Sequence, residues 1–122
     1  MKNKNILFGV ILVLMLGSAV VLNNFRGERA VPTHIGKEKV KNGALLVDVR
    51  TPQEFAKGHV SGAINIPYDQ VANRIAELGD NNSREVVFYC QSGGRSGLAT
   101  STLLKLGWKN AFNGGGIRGW KE

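Results

Sequence analysis

The sequence predicts an α/β fold: a parallel sheet of about five strands with helices on both faces, preceded by one hydrophobic N-terminal helix. Three observations carry this. Short apolar runs, rich in β-branched or aromatic residues and bounded by Gly, Pro or polar residues, read as buried strands. Segments with apolar residues at helical spacing lie between and after them. A stretch of 17 uncharged residues, 6–22, stands apart at the start. Strands alternating with helices imply parallel pairing.

In chain order, a weak first strand is expected near residues 33–35 and a strong one at residues 44–49 (ALLVDV). Thr51-Pro-Gln-Glu54 then supplies an N-cap, a proline at the first helical position and a capping-box glutamate. It opens a short helix through Lys57, ended by Gly58. Residues 63–66 (AINI) form the next strand. Val71, Ile75 and Leu78 recur at spacings of four and three and predict a helix. Residues 85–89 (EVVFY) form a further buried strand. A helix follows over residues 96–106, with Ala99, Leu103 and Leu106 on one face and Gly107 after it. A last strand near residues 110–112 and a short C-terminal segment around Trp120 complete the chain.

Residues 1–30 read as leader and tether, and residues 31–122 as one small folded domain, too short for a two-domain enzyme. Lys2 and Lys4 precede the apolar run. As a signal peptide, the run would be cut after the small residues Gly17-Ser-Ala19. As an uncleaved anchor, it continues through Val20-Val-Leu22 to the lower limit of a membrane span, and this reading is preferred. Both readings export the domain to the extracytoplasmic, periplasmic side, anchored by a single pass or soluble after cleavage.

The net charge of +7 is spread thinly: residues 31–122 carry +4 from 12 basic and 8 acidic side chains. No basic run marks a nucleic-acid face. A mild positive field favours small anionic substrates. The single cysteine excludes an internal disulfide. With only His34 and His59 beside it, it supplies no closed zinc site and no thiolate-held cluster, so no metal or cofactor is expected.

Ligands of open parallel sheets bind beyond the carboxyl ends of the strands. One such end holds Cys90-Gln-Ser-Gly-Gly-Arg-Ser96. Gly93 and Gly94 let the loop curl with its N–H groups inward. The following helix adds partial positive charge, and Arg95 adds a cation suited to oxyanions. All three favour a thiolate, the nucleophilic form. A buried, inert Cys90 is the competing reading, but packing gives no reason for Gly-Gly-Arg after it.

Asp48-Val-Arg50, Glu54-Phe55, Gly58-His59-Val-Ser-Gly-Ala63, Asn65-Ile-Pro67, the Cys90–Ser96 loop and Gly114-Gly115 together resemble a single-domain rhodanese, a sulfurtransferase. The match runs in order from about Thr33 to the C-terminus. The resemblance implies a three-layer α/β fold with a five-stranded parallel sheet. It implies that Cys90 takes a sulfane sulfur from thiosulfate or a similar anionic donor, holds it as a persulfide and passes it to cyanide or an external thiol. It places Gln91, Ser92, Gly93, Gly94, Arg95 and Ser96 around the persulfide, with Arg95 contacting the anionic substrate. A monomer is expected, in contact with the membrane through residues 6–22 if these are uncleaved.

Two other functions compete. Cysteine phosphatases and arsenate reductases use a similar cradle, but with five residues between Cys and Arg, whereas four intervene here. A non-catalytic sulfur carrier would need the same thiol without turnover. The remaining matched residues read as structural: Asp48 and Arg50 as a hydrogen-bonded network, Glu54 as a cap, His59 as a satisfied histidine, and Trp108 and Trp120 as packing. His34 is assigned no role.

Overall fold

Buried strands pair their backbone groups with neighbouring strands, and here they do so in one parallel sheet of order β2-β1-β3-β4. The computed structural model describes residues 29–81 and 83–121. The strands are β1 (Leu45–Asp48), β2 (Ile64–Asn65), β3 (Val86–Cys90) and β4 (Ala111–Gly116). The helices are α1 (Thr33–Lys41), α2 (Pro52–Lys57), α3 (Gly94–Lys105) and α4 (Ile117–Trp120). The expected hydrophobic N-terminal helix at residues 6–22 lies outside the described residues. No helix among the described residues is long and apolar enough to cross a membrane.

Period-two alternation divides the core into two layers. Val47, Val49, Val86, Phe88 and Cys90 face one side, where Ala99 and Leu103 of α3 cover them together with Val71 and Leu78. Leu46, Val87 and Tyr89 face the other, against Ile117 and Trp120, with Val40 of α1 and Phe55 of α2 packed alongside. All five residues of β3 are buried, as expected of the central strand of a sheet covered on both faces.

The structure corrects two expectations. Among the described residues the sheet has four strands, not five, because residues 33–35 begin α1 instead of a strand. The β-branched Thr33 and Ile35 favour a strand locally, but tertiary packing overrides them. Gly36 lies so close to Trp120 that an added Cβ would meet the ring at 2.9 Å, and Lys39 and Lys41 suit the last turn of a helix. Among the described residues, the fifth pairing is a single parallel bridge between Ala30 and Asn113. The second correction concerns Val71, Ile75 and Leu78, which sit in two short 3-10 turns (Tyr68–Gln70 and Ile75–Leu78) and the turn between them. Val71 and Leu78 are fully buried as anticipated. Arg74 breaks the helix with φ −115° and ψ 25°, and its guanidinium is held by Glu77 and Gln70.

The other elements fall where the pattern placed them, within one to four residues at each end. The Thr51 capping box forms in full: Glu54 N–H donates to Thr51 Oγ1, and Thr51 N–H to Glu54 Oε1.

Candidate functional site

The strand order reverses between β1 and β3. From β1 the chain continues to β2 on one side, and from β3 to β4 on the other. Such a switch leaves a crevice beyond the strand ends. Cys90 ends β3 at this crevice, 1% exposed, where the β3–β4 pairing shifts register between Phe88 and Cys90.

The loop closes around the sulfur. Gly93 takes a left-handed φ of 99°, which a side chain would strain, and its N–H donates to Cys90 Sγ at 3.0 Å. The backbone N–H groups of Ser92 and Ser96 also favour the charged sulfur, and Ser96 Oγ lies 3.4 Å from it. Burial pushes the Cys90 thiol up, but the Ser96 hydroxyl and these three amides outweigh it, so the thiol lies below its ordinary value. The end of β4 packs directly beside the loop. A Cβ on Gly116 would stand 2.7 Å from Gln91 O, so no larger residue fits there without moving the loop.

The predicted site residues Cys90 to Ser96 are therefore brought together, with unequal exposure. Gln91, Ser92 and Gly94 lie exposed on the rim, Gly93 and Arg95 are half-buried, and Ser96 is buried. Arg95 is not a free cation. Its Nη1 and Nη2 donate to Glu54 Oε1 and Oε2 at 2.7 and 3.0 Å. Held first by Arg95 and then by Thr51, the Glu54 carboxyl drops to about 2. Glu54 thus caps α2 and also anchors the guanidinium beside the sulfur. Each terminal nitrogen of Arg95 keeps a second N–H for an anion.

Beneath the loop, Asp48 and Arg50 form a buried network. Arg50 Nη2 donates to Asp48 Oδ2 at 2.7 Å and to Gly58 O at 2.8 Å. Tyr89 O–H donates to Asp48 Oδ2 at 2.8 Å and accepts from Val60 N–H at 3.0 Å. Burial above all, then the Asp48 carboxylate, pushes the Tyr89 phenol up to about 12. His59 stacks on Phe55 with ring centroids 3.7 Å apart, its Nδ1 3.0 Å from Phe55 O. No contact joins it to Cys90 among the described residues. Trp108 and Trp120 are buried packing residues. Among the described residues, no cluster of three or more His, Cys, Asp or Glu is placed to hold a metal ion.

Sequence reasoning missed two contributors. Glu54 was identifiable only as a cap, because nothing local joins it to a residue 41 positions away. Asn113 reaches Ser96 Oγ at 2.7 Å from β4. Its one signal is a buried polar residue within a strand.

Comparison with known proteins bears on this geometry. The profile of the rhodanese-like domain matches residues 31–122. An uncharacterised protein of Bacillus subtilis, YqhL, is 34% identical over 119 residues, covering 94% of this chain and 88% of its own. The thiosulfate sulfurtransferase PspE of Escherichia coli is 39% identical over 72 residues, 59% of this chain and 69% of its own. Among solved structures, an Escherichia coli rhodanese with anions superposes with a TM-score of 0.60 at 38% identity, covering 63% of this chain and 91% of that one.

Proposed function

Because the chain belongs to the rhodanese-like family, we propose that it is a sulfurtransferase that moves a sulfane sulfur from thiosulfate, or a similar anionic donor, to cyanide or an external thiol through a persulfide on Cys90. The observation that carries this reading is the ring of amides around a lowered-pKa sulfur at the strand switch. The Cys90 thiolate attacks the outer sulfur of thiosulfate. A new S–S bond forms, the old one breaks, and sulfite leaves with the bonding pair. The terminal persulfide sulfur then sits among the amides of Ser92, Gly93 and Ser96, which stabilise its charge. An acceptor thiolate or cyanide attacks that sulfur, and Cys90 leaves as thiolate. No general base is required when the thiol is already ionised.

Cys90 is the sole cysteine of the sequence, so no internal thiol resolves the persulfide, and the acceptor comes from outside. Arg95 contributes positive potential and its outward N–H groups to the donor. The anions held by the related Escherichia coli structure support an anionic ligand here. Pairing with Glu54 reduces the charge that Arg95 offers. The four residues between Cys90 and Arg95, one fewer than the phosphatase-like cradle uses, count against that alternative.

Mass spectrometry tests the reading: incubation with thiosulfate should add one sulfur to Cys90, removed by cyanide or a thiol. No adduct, with turnover of an aryl phosphate instead, would reverse it. An adduct without catalytic turnover would mark a carrier in place of an enzyme. We further propose, from residues 6–22, that the domain sits outside the cytoplasmic membrane. Protease added to intact spheroplasts should digest it, and full protection would reverse the orientation.

A further inference from the structure

The hydroxyl of Ser96 has one proton and three acceptors within reach. Asn113 Oδ1 lies at 2.7 Å, Gly93 O at 3.0 Å and Cys90 Sγ at 3.4 Å. Gly93 O is already served by Asn113 Nδ2 at 3.2 Å and by Gly97 N–H at 3.1 Å. The real competition is between Asn113 and the sulfur.

The amide orientation of Asn113 is fixed by its neighbours. Gly115 N–H donates to Oδ1 at 3.0 Å, while Nδ2 donates to Gly93 O. Turning the amide over would set two donors facing each other. Its backbone is fixed as well, since Asn113 N–H donates to Arg29 O and its carbonyl accepts from Val31 N–H. The side chain is buried, so water does not replace these partners.

We propose that Asn113 is a positioning residue for Cys90, holding the Ser96 proton while the sulfur is a neutral thiol and yielding it when the sulfur carries charge. In the thiol form, S–H donates to Ser96 Oγ and Ser96 O–H donates to Asn113 Oδ1, a two-link chain. In the thiolate or persulfide form, the hydroxyl turns to the sulfur, and Asn113 Oδ1 keeps only the Gly115 N–H. Asn113 therefore favours the neutral sulfur and restrains its ionisation, against the amides that promote it.

The charged groups facing this region are few. Arg95 of α3 lies nearest, paired with Glu54 of α2. Asp48 and Arg50, at and just beyond the end of β1, are paired with each other. Arg118 of α4 is exposed, and β4 itself contributes no charged side chain. None of these contacts Asn113 or Ser96 through a hydrogen bond among the described residues, so the proton shared by Ser96 is the local variable.

The inference rests on Cys90 being an activated nucleophile, and its test separates the two ideas. The rate of alkylation of Cys90 by iodoacetamide is followed against pH in the full chain and in the Asn113→Leu, Ser96→Ala and double variants, with folding checked by thermal melting. Asn113→Leu should move the midpoint down by about one pH unit, because the hydroxyl then loses the nearest acceptor that competes with the sulfur. In the Ser96→Ala background, the same substitution should move it by less than about a third of that. Asn113→Ala carries the same comparison if leucine disturbs the fold. No shift, or an equal shift with and without the Ser96 hydroxyl, overturns the positioning role while leaving sulfur transfer intact. An ordinary thiol midpoint in the unsubstituted protein overturns both.

Discussion

Replacing Cys90 by serine is expected to lower thiosulfate–cyanide turnover by about 10³-fold or more while leaving the fold in place. The two residues differ by one atom, and the buried site, 1% exposed, accommodates the smaller oxygen. The Gly93 N–H and the Ser96 hydroxyl still find an acceptor there. What is lost is the anion. The cradle lowers a thiol enough to matter, but a serine hydroxyl starts far too high to ionise near neutral pH. Serine also forms no persulfide, so both half-reactions stop. Steady-state turnover and a melting curve on the same preparation check this. Retained turnover with an unchanged melt would move the chemistry away from the loop.

Asp48→Asn is expected to have the largest effect on stability, a loss of about 3–5 kcal/mol. Arg50 is 5% exposed and Asp48 fully buried. Asparagine keeps the shape and part of the hydrogen bonding but removes the carboxylate charge that pairs with the guanidinium. The Tyr89 hydroxyl, which donates to the same carboxylate, is weakened too. For a domain of this size, that loss corresponds to a drop in melting temperature of more than about 10 °C. Denaturant unfolding of the two proteins decides it, and a change below about 1 kcal/mol would show that Arg50 finds water or another partner. The loss should fall on stability first, because Asp48 makes no contact with the sulfur among the described residues.

These expectations draw on parts of the molecule that were unequally visible in the sequence. The capping box at Thr51 and the three apolar runs were legible, because a cap is a local device and a doubly covered strand must be apolar throughout. The cysteine loop was legible for the same reason: its glycines, its arginine and the helix start are neighbours in the chain. Thr33 to Lys41 misled because its helix is stabilised by Gly36 nesting against Trp120, a contact spanning 84 positions. The spacing of Val71, Ile75 and Leu78 correctly marked Val71 and Leu78 as buried. It did not reveal that Arg74 breaks the helix between them. The Glu54–Arg95 pair and the Ser96–Asn113 contact join distant segments, and neither has a composition signal strong enough to announce it.

The groups that hold the sulfur are mostly main-chain amides, whereas Gln91 and Ser92 turn their side chains to the rim. Reactivity and recognition are thus written in separate alphabets. Descendants of this sequence can exchange residues 91 and 92 to suit new donors or acceptors without rebuilding the nucleophile. A randomised library at those two positions would retain the reactive thiol in most members while altering which molecules reach it.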